Sequence, residues 1–495
     1  MIKYLNNLIN SITMYRLVLY ALLLLAAYSI LLSFTGAVFY SAKAQMISLT
    51  LILAACLIVN FIFSKIYGAP TNIESTFITA LILFFVMPLE ENFRDAMWLV
   101  ISGVIAIASK YIIAYKKKHI FNPAAFGAAF VTFTQGSGAI WWVANSSLLP
   151  LTLILGLIVV KKIRRFNLFF SCVLASVLTD ILLNFNLSAD LACLLISHFT
   201  RWPIIFFASI MVTEPVTAPP TKFTQTFYGG LVGFLANLPI NLGPIYFSPE
   251  ISLMTGNIFS FAVSLKKKLF FILEQKMEIA RDTYEFSFRK ENFSFAPGQY
   301  LEWTLNHKNP DMRGIRRYFT IASSPTENEI RLGIKFNQPS SSFKKRLLEL
   351  KPGEKIVAGQ LGGDFVLPKR ASQKLAFIAG GIGITPFKSM LKYLMDKGEK
   401  RDIILLYSNK TLKDISYSEF LKSAENYFGI KIIHLITENN EVLSENIINK
   451  YAPDWKERLF YISGPNAMVE SYKKLLLKMG VSRKKIVTDY FPGYA

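Results

Sequence analysis

Ionisable side chains are spread so unevenly along this chain that it has to fold as two chemically different bodies. Residues 1–265 hold only 8 acidic and 15 basic side chains, most of them between apolar runs, and nearly all other charge follows Lys266. A length of 495 residues exceeds what one core supports and implies several domains. The net charge of +21 raises the question of nucleic acid. Yet the basic clusters Lys116–Lys118, Lys161–Arg165 and Lys266–Lys268 each abut a hydrophobic run, as cytoplasmic flanks beside anionic lipid do. No nucleic-acid partner is expected. Cys56, Cys172 and Cys193 all fall in apolar segments, which excludes a four-cysteine iron–sulfur cluster within the chain and gives no disulfide framework. No metal site is expected.

Apolar stretches near 16–34, 46–64, 96–114 and 167–185 are long enough to cross the hydrocarbon layer. Shorter ones lie near 74–89, 121–135, 148–160, 189–216, 226–242 and 250–264. An unpaired backbone group in lipid is costly, so the shorter pieces must be helices or broken helices packed inside a bundle. Together they predict an α-helical polytopic membrane domain over 1–265 with about ten spans. The first segment, MIKYLNNLINSITMYR, lacks a small-residue cleavage site and reads as a retained span. Ten crossings put both ends on one side, with the basic loops cytoplasmic and Glu90 and Glu91 opposite. The expected location is therefore a multi-pass cell-membrane protein whose carboxy-terminal module is cytoplasmic. Arg201, Trp202 and Pro203 interrupt 189–216, and counting that stretch twice would break the parity.

Several polar strings exceed what lipid anchoring needs: STFITALILFFVMP (75–88), Lys110, HIFNPAAFG (119–127), MVTEPVTAPPT (211–221) and YGGLVG (228–233). Taken singly, Asn122-Pro123 is a capped helix start and Thr213-Glu214-Pro215 a capped loop. In order, over roughly 70–245, they resemble the NqrB/RnfD family, flavin-carrying membrane subunits of sodium-pumping NADH:quinone oxidoreductase and of the Rnf complex. Members of that family carry a Ser-Gly-Ala-Thr string whose threonine is esterified to FMN. Here the nearest string is Ser137-Gly138-Ala139-Ile140, and isoleucine has no hydroxyl. A flavin in this domain would be a non-covalent FMN or riboflavin. Lys110, Asp180, Asp190 and Glu214 lie near span ends, where snorkelling accounts for each; ion translocation through them is the alternative.

After Lys268 short alternating runs such as TYEFSFR and IRLGIKF, with turns at Pro297-Gly298 and Pro352-Gly353, predict an antiparallel β-barrel over 266–370. From Gln373 strands alternate with helices, predicting a parallel α/β layer over 371–495. Within it KLAFIAGGIGITPFKSML (374–391) is a buried strand that breaks into glycines and restarts as a helix. Gly380, Gly381, Gly383 and Thr385 form a turn suited to a dinucleotide pyrophosphate, because glycine admits close approach and the helix start offers N–H groups.

These strings, together with RRYFTIASSP (316–325), resemble the ferredoxin–NADP reductase-like flavoproteins over about 269–495. The resemblance implies that Arg317 pairs with the FAD phosphate, Phe319 stacks on the isoalloxazine and Thr320 hydrogen-bonds near its N5. Ser341 and Ser342 would cap the following helix and cradle the pyrophosphate. Ser463-Gly464-Pro465, with Met468, matches the segment beside the nicotinamide, serine replacing the family's cysteine, so Thr320 and Ser463 are the candidate catalytic residues. Phe491 in the tail 489–494 would lie near the flavin. Asn409 and Lys410 lack an arginine clamp for a 2′-phosphate, which favours NADH over NADPH. The expected protein is a multidomain membrane-bound NAD(P)H-dependent FAD oxidoreductase that passes electrons to quinone or to a membrane flavin, with other membrane redox subunits as further partners. A ferric-reductase or NADPH-oxidase-like haem protein, or a flavin or solute transporter with a regulatory reductase domain, are the alternatives.

Overall fold

The computed structural model describes residues 11–68, 73–89, 92–135, 138–184, 190–239, 241–242 and 245–489. The chain divides into two compact units, Met1–Lys268 and Leu269–Ala495.

The first unit is helical: α1 Met14–Ser33, α2 Ala42–Ile66, α3 Ile73–Val86, α4 Phe93–Ile112, α5 Pro123–Gln135, α6 Leu149–Ile163, α7 Phe166–Asn184, α8 Leu191–Arg201, α9 Ile204–Met211, α10 Lys222–Leu235 and α11 Pro249–Val263. Local chemistry sets several starts: Thr13, Ser41 and Asn92 each accept a first-turn N–H at the head of α1, α2 and α4. Among the described residues four helices, α1, α2, α4 and α7, are long and apolar enough to cross a membrane, or five if α8 and α9, bent by 60°, count as one. They coincide with the four long stretches expected.

The expected ten spans do not appear. Helices α3, α5, α6, α10 and α11 have 13–15 residues. At about 1.5 Å per residue such a helix rises only about 20–22 Å, short of the ~30 Å hydrocarbon layer. Helices α5, α6, α10 and α11 keep exposed apolar side chains such as Phe133, Ile154, Phe223 and Ile258, whereas the second half of α3 is enclosed by protein. In α3 every residue from Ala80 to Val86 is buried. Its last carbonyls are capped from another segment: Ile140 and Trp141 donate their N–H groups to Val86 O (3.0 and 2.9 Å), and Trp142 Nε1 donates to Phe84 O. Part of the Ser137–Ile140 string thus closes a helix end; Ser137, like Glu90 and Glu91, lies outside the described residues.

Helices α7 and α10 approach closely because Gly229 and Gly233, one turn apart, face α7. A Cβ added at Gly233 would lie 3.1 Å from the Cα of Cys172.

The second unit starts with β1 Leu269–Ala280, β2 Thr283–Arg289, β3 Tyr300–Thr304, β4 Arg316–Thr320 and β5 Glu329–Lys335, then helix α12 Ser342–Glu349 and β6 Lys355–Gly362. These strands form one antiparallel six-stranded sheet in the order β4-β3-β6-β1-β2-β5. The expected barrel is therefore not closed by a ladder among the described residues: β4 and β5 stand at opposite ends of the order. The connection after Thr320 leaves strand geometry at once, and Ala322 N donating to Arg331 O (2.8 Å) spans the gap.

There follow β7 Leu375–Gly380, α13 Thr385–Asp396, β8 Ile403–Asn409, α14 Ser418–Phe428, β9 Lys431–Ile436, α15 Glu445–Tyr451, β10 Leu459–Ser463, α16 Asn466–Lys478 and β11 Ile486–Asp489. The sheet is parallel, ordered β9-β8-β7-β10-β11. β7 and β8 are buried along their whole length, as strands covered on both faces must be. Leu375, Phe377 and Ala379 pack into one core with α13 and α14; Ala376 and Ile378 pack into the other with α15 and α16.

Candidate active site

The glycine turn lies at the carboxyl end of β7, where open parallel sheets bind ligands. Gly380 ends the strand, Gly381 takes φ +50°, and Gly381–Ile384 wind as a 3₁₀ turn into α13, which starts at Thr385 followed by Pro386. Thr385 Oγ1 donates to Ile382 O (3.2 Å), holding the turn. Neighbouring β10 runs in register, Ala379 opposite Ser463, so the turn meets the segment that follows β10. A Cβ on Gly383 would lie 2.7 Å from the Gly464 Cα, and one on Gly380 would meet Met468 and, at 3.2 Å, Pro465. The structure thus brings Gly380, Gly381, Gly383, Thr385, Ser463, Gly464 and Pro465 together.

On the sheet side, Arg317 is buried in β4. Its Nη1 donates to the carbonyls of Arg313 (2.7 Å), Gly314 (3.1 Å) and Arg316 (2.6 Å), and its guanidinium lies 5.2 Å over the Phe343 ring. Phe319, on the same face of β4, is 6.0 Å from Phe343. Thr320 is buried at the strand end, opposite Tyr300. Ser341 caps α12, accepting from Lys344 N (3.3 Å). Ser342 is tied to Asp311 both ways: its N–H donates to Asp311 Oδ2 (3.0 Å) and its Oγ accepts from Asp311 N (2.9 Å).

The residues missed by sequence reasoning complete a cationic cradle. Arg313, Arg317 and Lys344 converge there, with Asp311 as counter-charge (2.9 Å from Arg313 Nη2 and 3.7 Å from Arg317 Nη2). Burial, then the charges of Arg317 and Arg313, lower the Lys344 pKa from 10.5 to about 8. Burial alone would raise the Asp311 carboxyl, but hydrogen bonds from Arg313 and from backbone N–H groups hold it below its usual range. Three cations against one carboxylate at a capped helix start fit a pyrophosphate such as that of FAD. The signals were present in DMRGIRRYF and SSFKK: an arginine four residues before Arg317, and a lysine in the first turn of the capped helix.

The two halves are joined directly. Ser389 Oγ of α13 donates to Ser323 O (2.7 Å), three residues after Thr320. A Cβ on Gly333 of β5 would meet Ile382 and Thr385 of the glycine turn. Behind this seam Lys388 of α13 reaches Glu285 of β2 (3.4 Å), which Arg331 also approaches (3.4 Å). Burial, then the Glu285 carboxylate, push the Tyr417 hydroxyl well above its ordinary pKa. Asn409 is buried at the end of β8. Phe491 lies outside the described residues; Asp489, at the end of β11, pairs in register with Ser463.

In the helical unit the polar strings converge as well. Asn122 Nδ2 donates to Glu214 Oε2 (2.9 Å), Thr217 Oγ1 donates to the same oxygen (3.0 Å), and Lys110 Nζ donates to Ser75 O and Oγ (3.1 Å each). Asn122 N donates to Asn257, whose Nδ2 donates to Tyr228. Ser75, Thr79, Asn122, Thr213 and Glu214 line one small cavity.

Residues 377–474 match the model of the oxidoreductase NAD-binding domain. Among curated proteins the chain is similar to Flavohemoprotein A of Dictyostelium discoideum, 23% identical over 236 residues, covering 45% of this chain and 59% of that protein. It is also similar to an NADPH oxidoreductase of Mycobacterium tuberculosis, 28% identical over 197 residues, 39% of this chain and 51% of that one. The chain thus spans between half and three-fifths of these relatives. Ferredoxin-NADP+ reductase from Plasmodium falciparum superposes with a TM-score of 0.40 at 18% identity, covering 46% of this chain and 98% of that one. The carboxy-terminal unit is an NAD(P)H-dependent FAD oxidoreductase module, with residues 377–474 its nicotinamide-nucleotide-binding part.

Proposed function

We propose that the chain is a membrane-bound oxidoreductase that accepts a hydride from NADH in its carboxy-terminal unit and delivers the electrons to a membrane acceptor, quinone or a membrane flavin. The observation that carries this reading is the seam itself: the cationic cradle of β4 and α12 and the glycine turn of β7 belong to one unit, pinned together by Ser389 and Ser323. In this reading residues 266–370 hold FAD and residues 371–495 hold the nicotinamide nucleotide. FAD when bound supplies a two-electron acceptor that can release electrons one at a time.

The chain's own residues bind and orient. Arg313, Arg317 and Lys344 hold the flavin pyrophosphate; Ser341 and Ser342 fix the helix start beneath it. Gly380, Gly381, Gly383 and Thr385 take the nicotinamide pyrophosphate on backbone N–H groups. Thr320 and Ser463, at the two strand ends, orient the reacting rings, which must approach to ~3–3.5 Å. Phe319 offers an aromatic face, and Phe491 belongs to the same proposal.

The membrane assignment is supported by the four apolar helices, which are compatible with a multi-pass cell-membrane protein whose reductase unit is cytoplasmic. The NqrB/RnfD-like reading of 70–245, with its non-covalent FMN or riboflavin, is supported by the hydrogen bonds that join its strings through Asn122, Glu214, Asn257 and Tyr228. A haem bundle is disfavoured by the histidines: in His198 both ring nitrogens are hydrogen-bonded, to Asp180 and Ser176. Cofactor extraction and an absorbance spectrum of the purified full chain test the proposal. One FAD per chain, bleached by NADH and reoxidised by ferricyanide, is expected. A colourless protein refutes the reading, and a Soret band replaces it with the haem alternative.

A further inference from the structure

The bend between α8 and α9 interrupts an apolar stretch at Arg201-Trp202-Pro203, and a second, open cavity lies beside it. Asp180, His198, Arg201 and Asn237 line it with Trp202 and Phe247. Three of these polar groups are wired in series. Asn237 Nδ2 donates to Ser176 Oγ (2.7 Å), so the serine hydroxyl proton is free to point at His198 Nε2 (3.1 Å). The imidazole then carries its proton on Nδ1, which donates to Asp180 Oδ2 (2.8 Å), and Asp180 Oδ1 accepts from Asn184 Nδ2 (2.7 Å). Gly229 and Gly233 bring α10, and with it Asn237, against α7.

The series has the order of a Ser-His-Asp triad, but Ser176 has no exposed surface and no substrate can reach it. A bound cation is opposed by Arg201 and by the single carboxylate, already engaged by two donors. A polar, proton-bearing wall facing aromatic side chains suits a different ligand. On α7 and α8, the helices that carry Asp180 and His198, Leu178, Leu182, Leu191 and Ile196 are exposed, as side chains facing lipid would be.

We infer that this cavity receives the headgroup of a lipophilic quinone, with Asp180 and His198 passing protons to it and Arg201 donating a hydrogen bond to a carbonyl oxygen. The inference rests on the proposed electron delivery to a membrane acceptor and names where it ends. NADH gives two electrons and releases one proton; the quinone takes both electrons and two protons, forming two O–H bonds. Two protons per turnover therefore enter at the quinone through the Asp180–His198 pair, one is released where NADH is oxidised, and the net uptake from water is one.

The test uses the full chain in lipid nanodiscs, with a short-chain ubiquinone, ferricyanide as a membrane-independent acceptor, and an azido-quinone photolabel. Wild-type photolabelling is expected on peptides within 176–202 or 237–247, competed away by unlabelled quinone. Asp180→Asn and His198→Gln are each expected to cut quinone reduction at least tenfold per bound FAD, and Asp180→Asn to shift its pH profile. Labelling elsewhere, labelling matched by an azido lipid without a quinone head, or full quinone reduction in both variants overturns the inference. A wild-type chain that reduces ferricyanide but no quinone overturns the acceptor reading instead, and one that reduces neither overturns the reductase assignment. The wild-type labelling pattern decides the matter even where a variant fails to fold.

Discussion

Lys344 sits where burial and two guanidinium groups oppose its charge, and its lowered pKa of about 8 has two consequences of opposite sense. Between about pH 8 and its ordinary 10.5 the unfolded chain keeps the proton and the folded, unliganded chain does not. Stability of the unliganded unit therefore rises with pH across that window. A bound pyrophosphate favours the ammonium form, so FAD binding takes up a proton above pH 8, and affinity falls as pH climbs through 8. Calorimetry in two buffers of different ionisation heat should show uptake at pH 8.5, none at pH 6.5, and none at either pH in Lys344→Met. Arg317→Lys keeps the charge but loses the planar fork. Hydrogen bonds to charged groups are worth ~1.5–3 kcal/mol, so FAD binding should weaken roughly tenfold or more, read as flavin lost on gel filtration. Gly383→Ala drives a methyl toward the Gly464 Cα, 2.7 Å away. Overpacking of that kind costs ~1–3 kcal/mol and should appear mainly as a higher KM for NADH.

Among elements, α13 holds the two sheets in register. Its Lys388 and the Glu285 of β2 have only 6% and 5% of their side chains exposed. Removing one partner of a buried pair leaves the other charge uncompensated, at ~3–5 kcal/mol. Arg331 still approaches Glu285, so Lys388→Met should fall near the lower end of that range. The double variant Lys388→Met with Glu285→Gln should recover much of the loss, as followed by thermal release of FAD fluorescence. In the helical unit Gly233→Leu should separate α10 from α7, lowering thermal stability and removing Asn237 from Ser176 together. Some of these elements were readable in advance. The strand–glycine–helix string of 374–391 is local chemistry, as is the cap at Ser341. The span count was not, because a helix too short to span has the same composition as a segment of one that does.

At the scale of the whole molecule, each unit has its own buried core, and residues 269–495 expressed alone should stay yellow and reduce ferricyanide with NADH. A colourless fragment would show that the division at Lys268 does not mark an independently folding module. The sequence by itself determined the division into an apolar and a charged body, the four long apolar helices, the parallel layer with its glycine turn, and the Arg317–Phe319–Thr320 strand. Each of these is written in a run of neighbouring residues whose periodicity or length is sufficient. Only the tertiary structure decided which of the short apolar segments are helices too short to span, that no ladder joins β4 to β5 among the described residues, and that Arg313 and Lys344 join Arg317. It alone assembled Asp180, His198 and Asn237 around one cavity. Those groups lie on separate segments, and what joins them is packing at glycines and capping across the chain, which no single stretch of residues records.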